Sequence, residues 1–424
     1  MRWLRNWKTR VLLILAVVGP GFITANVDND AGGIYVYSLA GAQFGHGLLW
    51  SLIPITLALI VVQEMSARLG AVTGKGLSDL IREEYGFRAT FFMMGLLIAI
   101  NSLNVVTEFI GVATSLDLFH GHIHGHNFYI SKFISVPVAA VLVWVLVTKG
   151  NYKSVEKIFL TASFFYICYI IAGFLAGPDW SDALRATVVP PPRQVFWNKP
   201  YLYMLIAVIG TTIAPWMQFY LQASIVEKGV TAREYRASRL DVVLGCIFTD
   251  VVAWFIIVAC AATLYRAGQT DITSGADAAR ALKPLAGKYA SLLFGAGLFN
   301  ASIFAASILP LSTAYTVCEG LGFESGLDKK FGEAPAFYWL YTVLVSAGAI
   351  AVLLIPDRLL IKVSVLSQVL NGVLLPPVLI YMLLLINKNS LMGKYVNGRL
   401  FNWIAWITAS ILIAMTVTYA VVGQ

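Results

Sequence analysis

Long apolar segments separated by short polar stretches dominate the pattern along the 424-residue chain. Runs such as 136–148 and 401–422 recur throughout, and many are long enough to cross roughly 30 Å of hydrocarbon as helices. The apolar runs are continuous rather than alternating, which excludes a transmembrane β-barrel. The pattern indicates an all-α polytopic membrane protein. We predict eleven transmembrane helices, spans 1 to 11, near residues 11–43, 47–70, 91–116, 129–148, 155–176, 201–226, 240–265, 290–318, 336–355, 359–387 and 401–422.

Two of these spans contain residues that interrupt a helix. Span 1 includes the stretch TANVDNDAGG (24–33), preceded by Gly-Pro-Gly (19–21), and should unwind around residues 26–33. Span 6 includes IGTTIAPWM (209–217) and should break around Thr211 to Pro215. Both predictions follow because proline removes a backbone donor and glycine weakens a helix.

The two interruptions occupy corresponding positions if the chain contains two inverted five-helix repeats. We therefore predict one transmembrane transporter domain over 1–424, with repeats near 11–176 and 201–387 and an extra helix at 401–422. Matched broken helices indicate a transporter, because half-helices that meet at the bilayer midplane leave carbonyl groups free to hold a cation. The alternative interpretation is a simple kink in each helix.

Composition and charge refine this picture. The chain is 58% hydrophobic and 12% charged, with a mean hydropathy of +0.76. Its net charge of +8 does not indicate nucleic-acid binding, because membrane proteins collect basic residues in their cytoplasmic loops. With the N-terminus in the cytoplasm, the inner side holds twice as many lysines and arginines as the outer side. We expect a multi-pass protein of the cytoplasmic membrane, a monomer, with an uncleaved first helix.

The sequence gives little indication of other chemistry. The four cysteines lie in or at the end of apolar spans without metal-binding or disulfide spacing. No nucleophile–base pair, phosphate loop or cofactor motif is present, so we expect neither an enzyme nor a bound cofactor. Alternating histidines at His120, His122, His124 and His126 fall in an outer loop. They could chelate Zn²⁺ or Ni²⁺ incidentally, but a solvated loop is the preferred interpretation.

Several motifs resemble the NRAMP family of divalent-metal transporters. The first helix matches in Gly-Pro-Gly-Phe (19–22), Asp30 and Gly-Ala-Gln-Phe-Gly (41–45). Further matches are Ser-Ala-Arg-Leu-Gly (66–70), Thr-Gly-Lys (73–75), Glu-Phe-Ile-Gly (108–111), Cys-Glu-Gly (318–320) and Leu-Ser-Gln-Val (366–369). The matches run in order through spans 1–10. The resemblance implies a LeuT-type fold with spans 1 and 6 unwound at the midplane.

Departures from the family pattern alter the expected ion. Where the family has Asp-Pro-Gly-Asn, this chain keeps Asp30 but has Gly33 in place of the asparagine ligand. Where the family has Met-Pro-His, Ala214 replaces the thioether ligand and Trp216 the histidine. Loss of the thioether removes discrimination against hard ions. A wider, oxygen-lined site suits a partly hydrated Mg²⁺. The sequence thus resembles the NRAMP-related magnesium transporter branch, and Mn²⁺ should also pass.

Other departures bear on proton coupling. The second family histidine of span 6 is Leu221 here, and a frequent family acid of span 3 is Val105. These changes remove the groups best suited to titrate near neutral pH. We therefore expect potential-driven movement without a coupled proton, although Glu108 remains and could carry one.

The resemblance implies a ligand set at the two helix breaks. It consists of the Asp30 carboxylate, the backbone carbonyls of Val27 and Thr211, and Gln368. Gly33 and Ala214 belong to the site because their small size leaves room for the ion. The secondary candidates are Asp28, Glu108 and Asn371. Structural alternatives stand beside these roles: Asp30 could cap the second half-helix, and Gln368 could form an interhelical hydrogen bond. Asp28 could line the vestibule or pair with a backbone donor. For Asp250 in span 7 we favour a structural role, satisfied by a Ser, Thr or Asn.

Other functions remain as alternatives. The first is a proton-coupled Mn²⁺/Fe²⁺ symporter of the ordinary NRAMP type. The second is a carrier of a small organic solute with the same fold, although Asp30 would repel an anionic solute. An ion channel or membrane receptor fits less well, because matched broken helices favour alternating access and no soluble signalling domain is present.

Overall fold

A computed structural model describes residues 19–118, 121–123, 126–128, 130–150, 152–270 and 290–422. Within these residues, ten helices are long and apolar enough to cross a membrane. Span 1 adds an eleventh crossing, built from two helices that are each too short to cross alone. The all-α polytopic prediction is confirmed.

The helix bounds agree with the predicted spans to within a few residues for most of the chain. In chain order the helices are α1 Pro20–Asn26, α2 Ala31–Phe44, α3 Leu49–Thr73, α4 Leu77–Asp117, α5 Lys132–Lys149, α6 Tyr152–Ser163, α7 Ile167–Leu175, α8 Trp180–Val188, α9 Arg193–Phe196, α10 Lys199–Thr212, α11 Pro215–Glu227, α12 Tyr235–Cys260, α13 Ala290–Leu321, α14 Pro335–Leu354, α15 Leu360–Ile386, α16 Asn389–Met392 and α17 Arg399–Val422. Turns of 3-10 helix lie at Val27–Asn29, Phe164–Tyr166, Asp357–Leu359 and Gly393–Tyr395, and a π-helical turn at Ala261–Tyr265.

Span 3 begins well before its predicted start at residue 91. Helix α4 begins at Leu77 and passes through a kink at Gly86, where φ is 81°. Glycine adopts this left-handed conformation without the steric cost that a Cβ atom imposes. The polar segment before residue 91 is thus a helical extension of the span.

The break in span 1 is shorter than predicted and lies slightly earlier. Helix α1 starts at Pro20, α2 starts at Ala31, and only the 3-10 turn Val27–Asn29 and the extended Asp30 (φ −70°, ψ −175°) separate them. Proline is favoured at the first helical position, where no backbone donor is needed. Gly32 and Gly33, which were expected to unwind, lie in the first turn of α2.

The break in span 6 is confined to two residues. Thr211 and Thr212 remain helical in α10, and Pro215 is the first residue of α11. Between them, Ile213 (φ −124°, ψ 66°) and Ala214 (φ −72°, ψ 143°) are non-helical. The predicted break at Thr211 to Pro215 is therefore correct in place but too long.

Burial separates central helices from peripheral ones. In an apolar stretch of 18 residues within each span, 94% of the residues are buried in span 6, against 28% in span 4 and 22% in span 11. Span 6 packs along span 10, span 3 along span 8, and α1 against span 7. Peripheral spans expose large apolar side chains such as Val138 and Trp403, as expected for surfaces that face lipid. Both broken helices thus lie in the protein interior, where irregular backbone can be tolerated.

The start of α1 is fixed to span 7 by one carboxylate. Asp241, which is 1% exposed, accepts hydrogen bonds from the backbone N–H groups of Gly19 (2.8 Å), Gly21 (2.8 Å) and Phe22 (3.1 Å). These are donors that a helix N-terminus leaves without intrahelical partners. The first half-helix is therefore attached to span 7 at its start as well as along its side.

The histidine loop is described only in part. Two short strands, β1 Gly121–Ile123 and β2 His126–Phe128, pair antiparallel, with His122 opposite Asn127. His120 and His124 lie outside the described residues. Within the described part of the chain, no group of three or more His, Cys, Asp or Glu side chains is arranged to hold a metal ion. Metal binding by this loop and the division into two inverted repeats stay predictions.

Candidate metal-binding site at the helix breaks

Asp30 lies where the two halves of span 1 meet and is 5% exposed. Its Oδ1 atom accepts a hydrogen bond from the Gly33 N–H at 2.7 Å, so Asp30 caps α2. The backbone N–H of Ala31 donates to Oε2 of Glu108 at 3.2 Å, which brings the Glu108 carboxyl group beside that of Asp30. The other oxygen of Glu108 is buried and has no partner among the described residues. Two acids from spans 1 and 3 thus meet at the break.

The two predicted carbonyl ligands both lose the donor that a continuous α-helix would supply. In such a helix, the Val27 carbonyl accepts from the N–H of residue 31, but Ala31 donates to Glu108 instead. The Thr211 carbonyl accepts from the N–H of residue 215, and Pro215 has none. Each break therefore frees the α-helical acceptor predicted from the sequence.

Gly33 lies at the contact between the two breaks. An added Cβ atom at this position would lie 2.2 Å from the Asp28 carbonyl oxygen and 3.1 Å from Oγ1 of Thr211. The Thr211 hydroxyl is buried and has no partner in the described part of the chain. In this conformation the position is filled by backbone and hydroxyl oxygen rather than by open space.

Gln368 approaches the break from span 10. Its Nε2 atom lies 2.0 Å from where a Cβ atom on Gly32 would stand, so the amide packs directly on the backbone of α2. Its Oε1 atom accepts a hydrogen bond from Asn371 at 2.7 Å. Asn371 also exchanges hydrogen bonds with Asn104 of span 3, at 3.0 and 3.2 Å. Gln368 thus reaches the site, while Asn371 joins spans 3 and 10.

Ala214 lies at the break in span 6, and its side chain has no atom that can bind a metal ion. It caps α11, is 2% exposed, and its carbonyl accepts from the Met217 N–H at 3.2 Å. With its amide oriented to satisfy both partners, Gln218 donates to the carbonyls of Ala214 (3.0 Å) and Pro215 (2.7 Å). The position therefore presents only a methyl group at the second break.

Asp28 lies on a different side of the turn from Asp30. Its Oδ2 atom is 3.4 Å from the Tyr37 hydroxyl and 3.5 Å from Oγ1 of Thr249, and its Oδ1 atom has no partner among the described residues. The backbone donor expected for Asp28 is absent from these contacts. Asp250 is 4% exposed, and neither of its oxygens has a hydrogen-bond partner in the same part of the chain. The structural role expected for Asp250 stays a prediction.

Comparison with known proteins identifies the family of this chain. A family model described as Natural resistance-associated macrophage protein-like, Nramp, matches residues 21–422. This chain belongs to the Nramp family. It is 29% identical over 426 residues to the divalent metal cation transporter MntH of Ralstonia nicotianae, covering 96% of this chain and 90% of that protein. The MntH of Klebsiella pneumoniae (strain 342) is 27% identical over 405 residues, covering 95% of this chain and 92% of that protein.

Solved structures share the fold of this Nramp protein. The crystal structure of the Eremococcus coleocola manganese transporter, in complex with an aromatic bis-isothiourea substituted compound, matches with a TM-score of 0.76 at 21% identity, covering 97% of this chain and 86% of that chain. Mhp1, a nucleobase-cation-symport-1 family transporter in a closed conformation, matches with a TM-score of 0.57 at 14% identity, covering 95% and 93%. These likenesses confirm the LeuT-type fold prediction.

Several residues of this Nramp site were not anticipated in their observed roles. The Thr211 hydroxyl, the Ala31–Glu108 hydrogen bond, and the hydroxyl groups of Tyr37 and Thr249 all border the break in span 1 or span 6. Pro215 predicts the free carbonyl of Thr211 but not the position of its hydroxyl. The contacts of Glu108 and Thr249 join segments that are distant along the chain and have no local pattern.

Proposed function

We propose that this chain imports Mg²⁺, and also Mn²⁺, across the cytoplasmic membrane by alternating access, without proton coupling. Its N-terminus is cytoplasmic, the chain acts as a monomer, and the ion binds between the breaks of spans 1 and 6. The names of the relatives support divalent metal transport: two are divalent metal cation transporters and one is a manganese transporter. A transporter role also leaves no need for an enzymatic one.

The donor chemistry at the breaks carries the proposal. Asp30, Gln368 and Glu108 offer carboxylate or amide oxygens, and Val27 and Thr211 offer carbonyls without α-helical donors. Ala214 brings no sulfur, so the site lacks the preference for softer metals that a thioether would supply. Gly33 has no side chain and adds no ligand. An oxygen-only set suits Mg²⁺, which is usually bound by one or two carboxylates while it keeps several waters.

The occluded geometry supports alternating access. Asp30 is 5% exposed and Gln368 1% exposed, so an ion bound between them could leave only after one side of the bundle opens. A divalent ion gains roughly 4.6 kcal/mol per 100 mV from an interior-negative potential, at ~2.3 kcal/mol per charge. That energy suffices for accumulation, and Trp216 and Leu221 provide no titrating group in span 6.

Two alternatives make different demands on the site. A proton-coupled Mn²⁺/Fe²⁺ symporter would need a proton carrier, and Glu108, which is 0% exposed and adjoins Asp30, is the candidate. A carrier of an organic solute would need a cavity at the breaks, whereas Gly32 and Gly33 are in close contact with neighbouring atoms.

Uptake into proteoliposomes with a set membrane potential tests the proposal. Mg²⁺ entry and internal pH are recorded together for the wild type and for Asp30→Ala, with Mn²⁺ as a second ion. We expect Mg²⁺ entry that increases with the potential, causes no internal acidification, and is lost in the variant. Mn²⁺ entry with acidification and no Mg²⁺ signal would contradict the proposal and support proton-coupled symport.

A further inference from the structure

Two buried acids remain outside the site at Asp30. Asp28 lies in the 3-10 turn of span 1 and Asp250 in the middle of span 7, with exposed fractions of 1% and 4%. The Asp28 carboxylate lies 3.5 Å from Oγ1 of Thr249, the residue that precedes Asp250 in span 7. None of the ion pairs found among the described residues includes either acid. Burying a carboxylate without a partner is costly, and either a bound proton or a bound cation offsets that cost.

The hydroxyl groups around Asp28 hold it weakly. Thr212 donates its proton to the Val208 carbonyl at 2.8 Å, so Tyr37, whose hydroxyl is 2.8 Å from Oγ1 of Thr212, donates to Thr212. The 3.4 Å contact between Tyr37 and Asp28 is then left without a proton. Thr249, at 3.5 Å, is beyond the usual 2.5–3.0 Å of an O–H···O hydrogen bond. Asp28 thus has no donor at ordinary hydrogen-bond length.

The surroundings of Asp250 show the same pattern. Both of its oxygens lack a hydrogen-bond partner within the described residues. The nearby Thr56 hydroxyl donates to the Leu52 carbonyl of its own helix at 2.7 Å. A hydroxyl that has given its proton away presents only lone pairs to a neighbouring carboxylate. Such an arrangement of acceptors without donors is repulsive unless a proton or a cation lies between them.

Asn29 provides an independent indication of a ligand. Its Nδ2 atom donates to Oγ1 of Thr249 at 2.7 Å, which brings the side-chain amide to the hydroxyl that faces Asp28. The amide oxygen of this fully buried side chain has no partner in the described part of the chain. Amide and carboxylate oxygens are the ligands that hard divalent cations prefer.

We propose that Asp28 and Asp250 hold a second divalent cation between the 3-10 turn of span 1 and span 7, separate from the transported ion at Asp30. Two carboxylates balance both charges of such an ion, and the Asn29 amide and the hydroxyl oxygens complete an all-oxygen donor set. Asp30 does not compete for it, because its carboxylate is held by Gly33 beside Glu108. The second ion is resident, and it joins span 1 to span 7.

Counting bound Mn²⁺ on the purified full-length protein tests this site. The free Mn²⁺ signal in electron paramagnetic resonance gives the number of bound ions per chain at saturation. We expect two ions for the wild type, one for Asp30→Ala, one for Asp250→Asn, and none for the double variant. Asp28→Asn provides a second route to the same loss if Asp250→Asn does not fold.

A matched control separates this site from a general effect of removing a buried charge. Glu319→Gln neutralises a carboxyl group in span 8 that is 9% exposed and packs against Gly76, away from both breaks. It should keep two ions. A wild type that binds one ion, lost in Asp30→Ala, overturns the second site, as does an Asp250→Asn protein that still binds two.

The outcomes also distinguish this inference from the proposed transport site. A wild type that binds one ion, kept by Asp30→Ala and lost in Asp250→Asn, supports the second site and contradicts the first. Thermal unfolding adds a readout that does not depend on transport. Without metal, Asp250→Asn should unfold at the wild-type temperature or above it, and added Mn²⁺ should stabilise it less than the wild type.

Discussion

The break in span 1 carries two aspartates two residues apart, and the protein surrounds them in opposite ways. Asp30 caps α2 and accepts the Gly33 N–H at 2.7 Å. Asp28 lies in the 3-10 turn, with hydroxyl groups no closer than 3.4 Å. At about three residues per turn, positions two apart differ by roughly 240° around the axis, so the two side chains face different neighbours. One carboxylate is held by its own helix, and the other depends on what span 7 brings to it.

The largest expected effect tests which aspartate binds the transported ion. Asp30→Asn keeps the shape and removes the charge, so Mg²⁺ uptake should fall about 100-fold, which corresponds to ~2.7 kcal/mol. Asp28→Asn, the matched change two residues earlier, should reduce uptake by less than about tenfold, ~1.4 kcal/mol. Initial rates in proteoliposomes at a fixed potential measure both. Equal losses of Mg²⁺ uptake in the two variants would show that Asp28 contributes as much to transport as Asp30.

A second prediction concerns the two glycines that follow Asp30 in the first turn of α2. A Cβ atom at Gly33 would stand 2.2 Å from the Asp28 carbonyl, whereas one at Gly32 would meet the end of the Gln368 side chain. Gly33→Ala should therefore destabilise the protein by about 1–3 kcal/mol through overpacking. Gly32→Ala should cost less, because an amide can rotate away. Thermal unfolding in detergent compares the pair, and a larger loss for Gly32→Ala would contradict this packing.

A smaller effect is expected on the preference of the Asp30 site for Mn²⁺ over Mg²⁺. Ala214→Met places a thioether at the second break, and the preference for Mn²⁺ over Mg²⁺ should rise roughly tenfold, ~1.4 kcal/mol, because sulfur favours softer metals. Ala214→Leu adds comparable bulk without sulfur and should leave the preference unchanged. Competition between the two ions in uptake measures the ratio. If leucine shifts it as methionine does, size rather than ligand chemistry sets selectivity.

The smallest effect is expected at the Thr211 hydroxyl. The proposed ligand there is the backbone carbonyl, so Thr211→Val should lower uptake only a few-fold, ~1 kcal/mol, through the lost polar group facing Gly33. Thr211→Ser keeps the oxygen and should retain wild-type rates. A loss with Thr211→Val as large as that expected for Asp30→Asn would instead assign the hydroxyl a direct role at the ion.

The sequence predicted the helices and the positions of both breaks because hydrophobic length and proline placement are local properties. It extended the break of span 1 too far, since glycine marks where a helix is weak rather than where it ends. The start of α2 rests on a local contact, the Asp30 cap on the Gly33 N–H, which was an alternative role for Asp30 in the sequence. The Ala31–Glu108 hydrogen bond spans 77 positions of the chain and leaves no local pattern to detect.

Asp250 shows the same limit for side chains. Its position in an apolar span indicated a buried acid, and threonines nearby made a satisfied partner plausible. Whether a hydroxyl donates to a carboxylate or to its own helix depends on rotamers, and Thr56 donates to Leu52. The family and its fold were therefore predictable from motifs, whereas the division of the acids between two sides of the break required the packed structure.

Helix α1 has only seven residues, about two turns, and one carboxylate holds its start. Because Asp241 accepts three backbone N–H groups at once, a small rotation of the half-helix strains all three hydrogen bonds together. All three hydrogen bonds therefore depend on a single side chain. Removing the Asp241 carboxylate would take away every one of them at once.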